Sequence, residues 1–289
     1  MTTTYTTQNL ATDKVLCSTI TLRHLPLREA LQTISELGFT GVDLGALPGV
    51  CNHVPYELNA AAVREVTAVV RDSGLIVRSV NADVGDLNVP LTPAETAARR
   101  EHADRLLDLC TGIGANALVL PNGRQDHEPV RDLASDLELV AEQLRALAEL
   151  TADRQVELWV EAPHHFRLVH DVDLASSLYE LLPASIGAVL DVSHIVAAGS
   201  TPRRFLELFA DRVRHVHLRD AEPGYIHHSI GRGAVDFPDT ITALSEYGYQ
   251  GLFALELETR DLADRDRPTA ALKAGEYISS LIMARAAQD

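Results

Sequence analysis

The chain is poor in cysteine, has no basic run, no apolar stretch of membrane-spanning length and no Pro/Gly/Ser-rich linker. Its three cysteines, Cys17, Cys51 and Cys110, lie far apart without a Cys-x-x-Cys pair. That set fits a reducing cytosol better than a disulfide framework. No basic run exceeds Arg203-Arg204, and the net charge is −16. Such a balance repels phosphate backbones, so no nucleic acid is expected as a partner, and the acidity reads as solubility. Residues 1–14 lack an apolar core of signal-peptide length and read as a flexible N-terminal tail. No membrane partner is expected, and the expected location is cytoplasmic. Without a linker, residues 15–289 read as one domain.

What the chain does have is apolar content, 46% of 289 residues, ample for a full core. Strand-like runs near 15–18, 41–45, 76–80, 117–120, 156–161, 187–191, 214–218 and 252–256 alternate with helical patterns. The helical patterns cover Leu27–Gly38, Ala60–Gly74, Ala94–Gly114 and Val130–Thr151, with apolar residues at three- and four-residue spacing. Gly38, Gly74, Gly114 and Gly248 each stand just past a helical pattern, as left-handed caps would. Strict alternation of this kind leaves an open doubly wound sheet or a closed eight-stranded barrel.

Four residues decide between them. Glu161, Asp191, His217 and Glu256 each stand near the C-terminal end of a separate apolar run, at separations of 30, 26 and 39 residues. Each separation holds a helix and a return to a parallel neighbour. A carboxylate at the end of a buried strand needs compensation for its charge. Three carboxylates and one imidazole converging at one end make a cage for a divalent cation. A barrel brings consecutive strand ends to one central pocket, whereas an open sheet spreads them along an edge. The expected fold is therefore a single α/β (β/α)8 TIM barrel. Glu157, two inward steps below Glu161, fits an apolar interior less well.

The motifs VEAPHH (160–165), LDVSH (190–194), HVHLRD (215–220), IGRGAVDF (230–237) and GYQGLFALELE (248–258) occur in order on these runs. With them the chain resembles the xylose-isomerase-like TIM-barrel superfamily, in the sugar phosphate isomerase/epimerase branch that includes ketose 3-epimerases and inosose dehydratase-like lyases. The resemblance implies one divalent cation held by Glu161, Asp191, His217 and Glu256. Mn²⁺ is the first expectation, with Mg²⁺, Co²⁺ or Zn²⁺ as alternatives. It also implies that Glu161 and Glu256 form the acid/base pair. The implied chemistry is isomerisation or epimerisation of a ketose or keto-sugar, by proton abstraction α to a carbonyl through a metal-stabilised enediolate. The alternative keeps that abstraction and follows it with elimination, as in a dehydratase or lyase acting on a keto-sugar, an inosose or an oxidised glycoside.

Further candidates surround these four. His194 matches a substrate-oxygen contact of the epimerases, and His164 and His165 follow Glu161 at the expected mouth; His164 and His194 are taken as catalytic candidates. Substrate contacts are expected from His165, Arg219, Asn81 and His53 of the long loop 46–59, with an Arg219–Asp220 ion pair as the other reading of Arg219. His215 reads as a satisfied core histidine, and Glu258 is the rival to Glu256. Two departures weigh against simple ketose epimerisation. The stretch AEPGYIHH stands where many epimerases carry a substrate-contacting arginine, and Gly231-Arg232-Gly233 replaces the usual Gly-Glu-Gly. The histidine-rich mouth favours elimination, because a leaving group needs a general acid. The expected partner is a small keto-sugar, with self-association into a homo-oligomer left open.

Overall fold

The computed structural model describes residues 10 and 12–287, so most of the expected tail lies outside the described residues. Eight strands form within two residues of their expected ends: β1 (Val15–Ser18), β2 (Gly41–Ala46), β3 (Ile76–Ala82), β4 (Ala117–Pro121), β5 (Glu157–Glu161), β6 (Gly187–Asp191), β7 (Val213–Leu218) and β10 (Phe253–Leu255). They close into a parallel barrel in the order β1-β10-β7-β6-β5-β4-β3-β2. Closure is made by β1 against β10, with Val15 opposite Phe253 and Cys17 opposite Leu255. Four of the outer helices are α1 (Leu27–Glu36), α2 (Ala60–Ser73), α3 (Pro93–Ile113) and α4 (Leu133–Ala152). The expected spacing is what they bury: Val63, Val66 and Val70 from α2, and Leu137, Val140, Ala141, Leu144 and Leu147 from α4. Thr92 and Glu95 close a capping box at the start of α3, and Gly74 and Gly114 end α2 and α3 in the left-handed region at φ of 69° and 72°.

The core has two parts. The large one lies between the barrel and its helices, and a small one of Ala117, Val119, Trp159 and Val189 fills the barrel interior. Trp159 accounts for Glu157. Its indole N–H donates to Glu157 Oε2 at 2.8 Å, while the Arg78 guanidinium lies 4.6 Å from the ring. Gly187 is fixed by the same ring, since a Cβ there would stand 2.6 Å from the indole. On this floor sits His215, its ring centroid 5.4 Å from that of Trp159 and 4.9 Å from that of His217. It is a core histidine, as expected, but not a satisfied one. Neither ring nitrogen makes a hydrogen bond among the described residues, and Nε2 stands 3.6 Å from Asp43 Oδ2.

The stretch read as a loop after the seventh run is instead a hairpin of β8 (Asp220–Glu222) and β9 (Tyr225–His228), turning at Pro223-Gly224. The next loop is built around Asp220. Its buried carboxylate accepts five backbone N–H groups, from Ala221, Gly231, Arg232, Gly233 and Val235. Gly233 is required there, because a Cβ would collide with Asp220 Oδ1 and the Ala221 carbonyl. Asp236 then caps α8 (Phe237–Glu246) by accepting from Asp239 N. Asp220 is thus committed to the backbone and not to Arg219. Asp220→Ala is expected to cost about 2–4 kcal/mol in denaturant unfolding, since each N–H left buried without an acceptor costs roughly 1–3 kcal/mol. A change below about 0.5 kcal/mol, the usual span of a surface substitution, is the outcome that would discard this role.

Candidate metal centre

Four consecutive strands of the barrel, β5, β6, β7 and β10, bring Glu161, Asp191, His217 and Glu256 to one point. One ligand-type atom from each lies within 4.8 Å of the others, and all four residues are buried. His217 Nδ1 is 3.0 Å from Glu161 Oε1, 3.7 Å from Glu256 Oε2 and 4.0 Å from Asp191 Oδ2. Each side chain is held from behind. Asp191 Oδ1 caps α6 (Val192–Ala197), accepting from Ser193 N and Oγ and from His194 N. Asn81 Nδ2 donates to Glu256 Oε1 at 2.9 Å. His217 Nε2 is 2.8 Å from Asp43 Oδ2, and Ser79 Oγ donates to Asp43 Oδ1.

These residues fit a divalent cation. Asp191 Oδ2 is buried with no hydrogen-bond partner, in the midst of two more carboxylates and an imidazole. A buried anionic oxygen without a partner is costly unless an ion completes it. An N–H on His217 Nε2 donated to Asp43 leaves the Nδ1 lone pair free for the ion, the arrangement in which an outer carboxylate orients a ligating histidine. Asp43 was missing from the sequence reading, although a carboxylate inside the buried run GVDLGA was the signal for it. Asp43→Asn is expected to weaken cation affinity about 10–100-fold with the fold intact, as loss of an outer-shell partner does. Titration of the protein with Mn²⁺ checks this, and unchanged affinity would remove Asp43 from the centre.

Ionisation follows the crowding. Burial, reinforced by the Glu161 and Asp191 charges and opposed by His217 and Arg219, pushes the Glu256 pKa up to about 8. Burial likewise raises Glu161 against the opposing pull of His217. Burial opposes charge on His217 too, but Glu256, Asp43 and Glu161 outweigh it and hold its pKa well above the imidazole range. Burial opposes ionisation of Asp43, yet the imidazoles of His215 and His217 beside it hold its carboxyl well below the carboxylate range.

Beside the cage opens a cavity of about 270 Å³, whose lining includes Glu161, His164, His194, Asn81, Glu256 and Glu258. The His164 and His194 rings stack with centroids 3.9 Å apart. His164 Nε2 is 3.7 Å and His194 Nε2 4.0 Å from Glu161 Oε2. Both Nδ1 atoms accept backbone N–H groups, from Phe166 at 3.4 Å and from His165 at 3.0 Å. A neutral ring whose Nδ1 accepts carries its proton on Nε2, and for His194 the 3.0 Å bond at Nδ1 outweighs the 3.5 Å approach of Arg219 Nη2 to Nε2. Burial, then neighbouring His194 and Arg167 for His164 and Arg219 for His194, lowers both pKa values well below normal and keeps the rings neutral. The trio of Glu161, His164 and His194 is close enough to suggest a second ion. The tautomers argue against it, because a ligating nitrogen must be free of its proton.

Arg219 also lines the cavity, bound to Ser193 Oγ at 2.9 Å and to Glu258 at 3.4 Å. His165 and His53 do not line it. The His165 ring packs on Phe166, and the residue serves His194 through its backbone. Both nitrogens of His53 are taken, by Cys51 Sγ and the Leu25 carbonyl. From the loop of His53, Leu47, Pro48 and Val50 reach the cavity instead. Arg167, paired with Asp83 at 2.7 Å, is a lining residue with no sequence signal. No helix among the described residues is long and apolar enough to cross a membrane.

Known proteins share this frame. Inosose dehydratase of Lacticaseibacillus casei is 26% identical over 161 residues, covering 48% of this chain and 54% of that protein. The chain thus spans about half the length of the curated relatives it matches. The IOLI protein, solved with a bound zinc atom, superposes with a TM-score of 0.76 at 16% identity, over 92% of this chain and 98% of that one. The 3-keto-D-glucoside 4-epimerase of E. coli gives 0.73 at 18% identity, over 92% and 100%. The model of the xylose isomerase-like TIM barrel matches residues 31–281. With that match spanning most of the closed barrel, the chain belongs to the xylose isomerase-like TIM barrel family.

Proposed function

We propose that the protein is a divalent-cation-dependent dehydratase of a cyclic or open-chain keto-polyol, with Mn²⁺ as its first cation. Glu161, Asp191, His217 and Glu256 would hold the ion, which when bound supplies Lewis acidity that acidifies the C–H next to a substrate carbonyl. The single observation that carries elimination is the pair of Nε2–H histidines beside Glu161. Glu256, held by Asn81 across the cage, takes the α proton. The Glu256 carboxylic acid so formed delivers that proton to the β-hydroxyl, which leaves as water while the carbon–carbon double bond forms. The Nε2–H of His164 or His194 donates a hydrogen bond to the departing oxygen. Asn81 fixes the Glu256 carboxylate and Arg219 that of Glu258. Similarity to inosose dehydratase supports the same reading.

Epimerisation is the second reading, supported by Glu161 and Glu256. They lie on strands separated by two others, and both line the cavity. Incubating the Mn²⁺-supplemented protein with inososes, ketoses and keto-glycosides in D₂O separates the two by product mass. Loss of one water is the expected result. Deuterium uptake with the carbon skeleton and its oxygens conserved would replace dehydration with epimerisation, and no exchange with any ketone would overturn both.

A further inference from the structure

The hairpin that the sequence did not disclose puts one more histidine against the cavity. His227 of β9 lines it, its ring 6.1 Å from that of Phe166 and 5.5 Å from that of Tyr225. Its Nδ1 stands 2.9 Å from the Glu258 carbonyl oxygen. A carbonyl only accepts, so Nδ1 carries the proton and Nε2 of the neutral ring is left as a lone pair. Nε2 is buried and has no hydrogen-bond partner among the described residues, a condition a native protein seldom leaves unanswered. His164 and His194 present donors to the cavity, and His227 presents an acceptor.

The cations around the cavity are committed. Arg219 is held by Ser193 and Glu258, Arg167 by Asp83 and the Gly123 carbonyl, and Arg23 by Glu258. Arg260, the remaining guanidinium of the lining, is exposed, where water and salt screen it. A buried carboxylate or phosphate on a substrate would find no unpaired cation of the protein inside. The cavity volume of about 270 Å³ lies below the roughly 300–1,000 Å³ of sites for drug-sized ligands, so it suits one small ring.

We infer that His227 determines specificity: its Nε2 accepts a hydrogen bond from a substrate hydroxyl, so the site takes an uncharged, polyhydroxylated ketone in preference to a keto acid or a sugar phosphate. This rests on the proposed action on a ketone, and binding measurements separate the two. The probes are a neutral inosose, its single-deoxy analogues and a cyclohexanone carboxylate of the same ring size, each titrated calorimetrically into the full chain with Mn²⁺. KM and kcat are measured alongside.

The inosose is expected to bind at least about tenfold tighter than the carboxylate. His227→Ala is expected to raise its Kd and KM roughly tenfold or more with kcat little changed, the signature of a lost hydrogen bond in uniform binding. His227→Gln, whose amide oxygen accepts, should recover most of that loss. One deoxy analogue should bind the native protein as weakly as the parent binds His227→Ala, and lose nothing more in that variant. This arm tests the inference on the native chain even if a variant fails to fold. Tighter binding of the carboxylate, above all if Arg260→Gln removes it, would overturn the inference. So would an unchanged inosose Kd in a folded His227→Ala, a fall in kcat matching the rise in KM, or no binding of either probe. If the binding pattern holds but no ketone is turned over, the catalytic reading fails and the inference stands.

Discussion

Glu256→Gln is expected to lower turnover by roughly 10²–10⁴-fold, the span of lost acid–base catalysis, and to weaken cation binding. Glu258→Gln is expected to cost less than about tenfold. The two carboxylates are one inward step apart, and their surroundings explain the difference. Glu256 follows β10, is buried, and lies within 3.7 Å of His217 Nδ1. Glu258 is neutralised by two guanidinium groups, with Oε1 2.9 Å from Arg23 and Oε2 3.4 Å from Arg219. The substitution at 256 preserves shape, and the amide oxygen can still accept from Asn81, so the fold should survive. What is lost is the proton acceptor and one anionic oxygen of the cage. Steady-state kinetics with bound Mn²⁺ measured on the same samples checks both variants. Equal losses, or a larger one at Glu258, would move the strand-end role to the wrong side of this assignment and unseat Glu256.

The cage was legible because it obeys two local rules. A side chain's face follows from its parity along a strand, and a charged residue in an apolar run marks a place where something else compensates. Glu161, Asp191, His217 and Glu256 satisfy both, and alternation with capped helices supplies the barrel that joins them. Asp43 obeys the same rules and was still missed. Its meaning depends on facing His217 from the other side of the barrel, and no local spacing expresses that contact. For Arg219 the sequence offers a substrate contact or an ion pair with Asp220; the second does not form, since its partners are Ser193, Glu258 and Asp191, which come from other strand ends. Asp220 is instead drawn away by backbone N–H groups of a loop eleven to fifteen residues on.

The orientation of loop side chains was the least legible. His53 and His165 stand in suitable loops, but their rings are spent on Cys51, Leu25 and Phe166. The short hairpin escaped because strands of three and four residues carry too little periodicity to register, though Pro-Gly between them was a turn signal. Tautomers are not legible from sequence at all. They follow from which backbone groups reach Nδ1, and here those groups give His164 and His194 the opposite polarity to His227.

That polarity makes the histidine pair the decisive test of elimination. In a dehydration assisted by the Nε2–H of His164 or His194, replacing the donor by Ala is expected to lower turnover by roughly 10²–10³-fold, with cation content near stoichiometric. Retention of the cation follows from the geometry: neither ring is needed for the four-residue cage, and neither Nε2 has a lone pair to give it. The stacked rings need not be equivalent. His194 is the more deeply buried and anchors to the His165 backbone by the shorter bond, whereas the His164 ring is nearer to Glu161 and more open to the cavity mouth. The larger loss is therefore expected for His164→Ala if the leaving group lies toward the mouth, and for His194→Ala if it lies toward Arg219. In an epimerisation by the two glutamates, the same replacements would mainly raise KM, with modest change in kcat. A third outcome, loss of the cation from either variant, would make that histidine a ligand and contradict the tautomers on which elimination depends. Measuring kcat, KM and bound Mn²⁺ for His164→Ala, His194→Ala and the double variant distinguishes all three. The double variant adds the last discrimination, since losses no greater than the worse single one would show that the rings serve one departing oxygen as a unit.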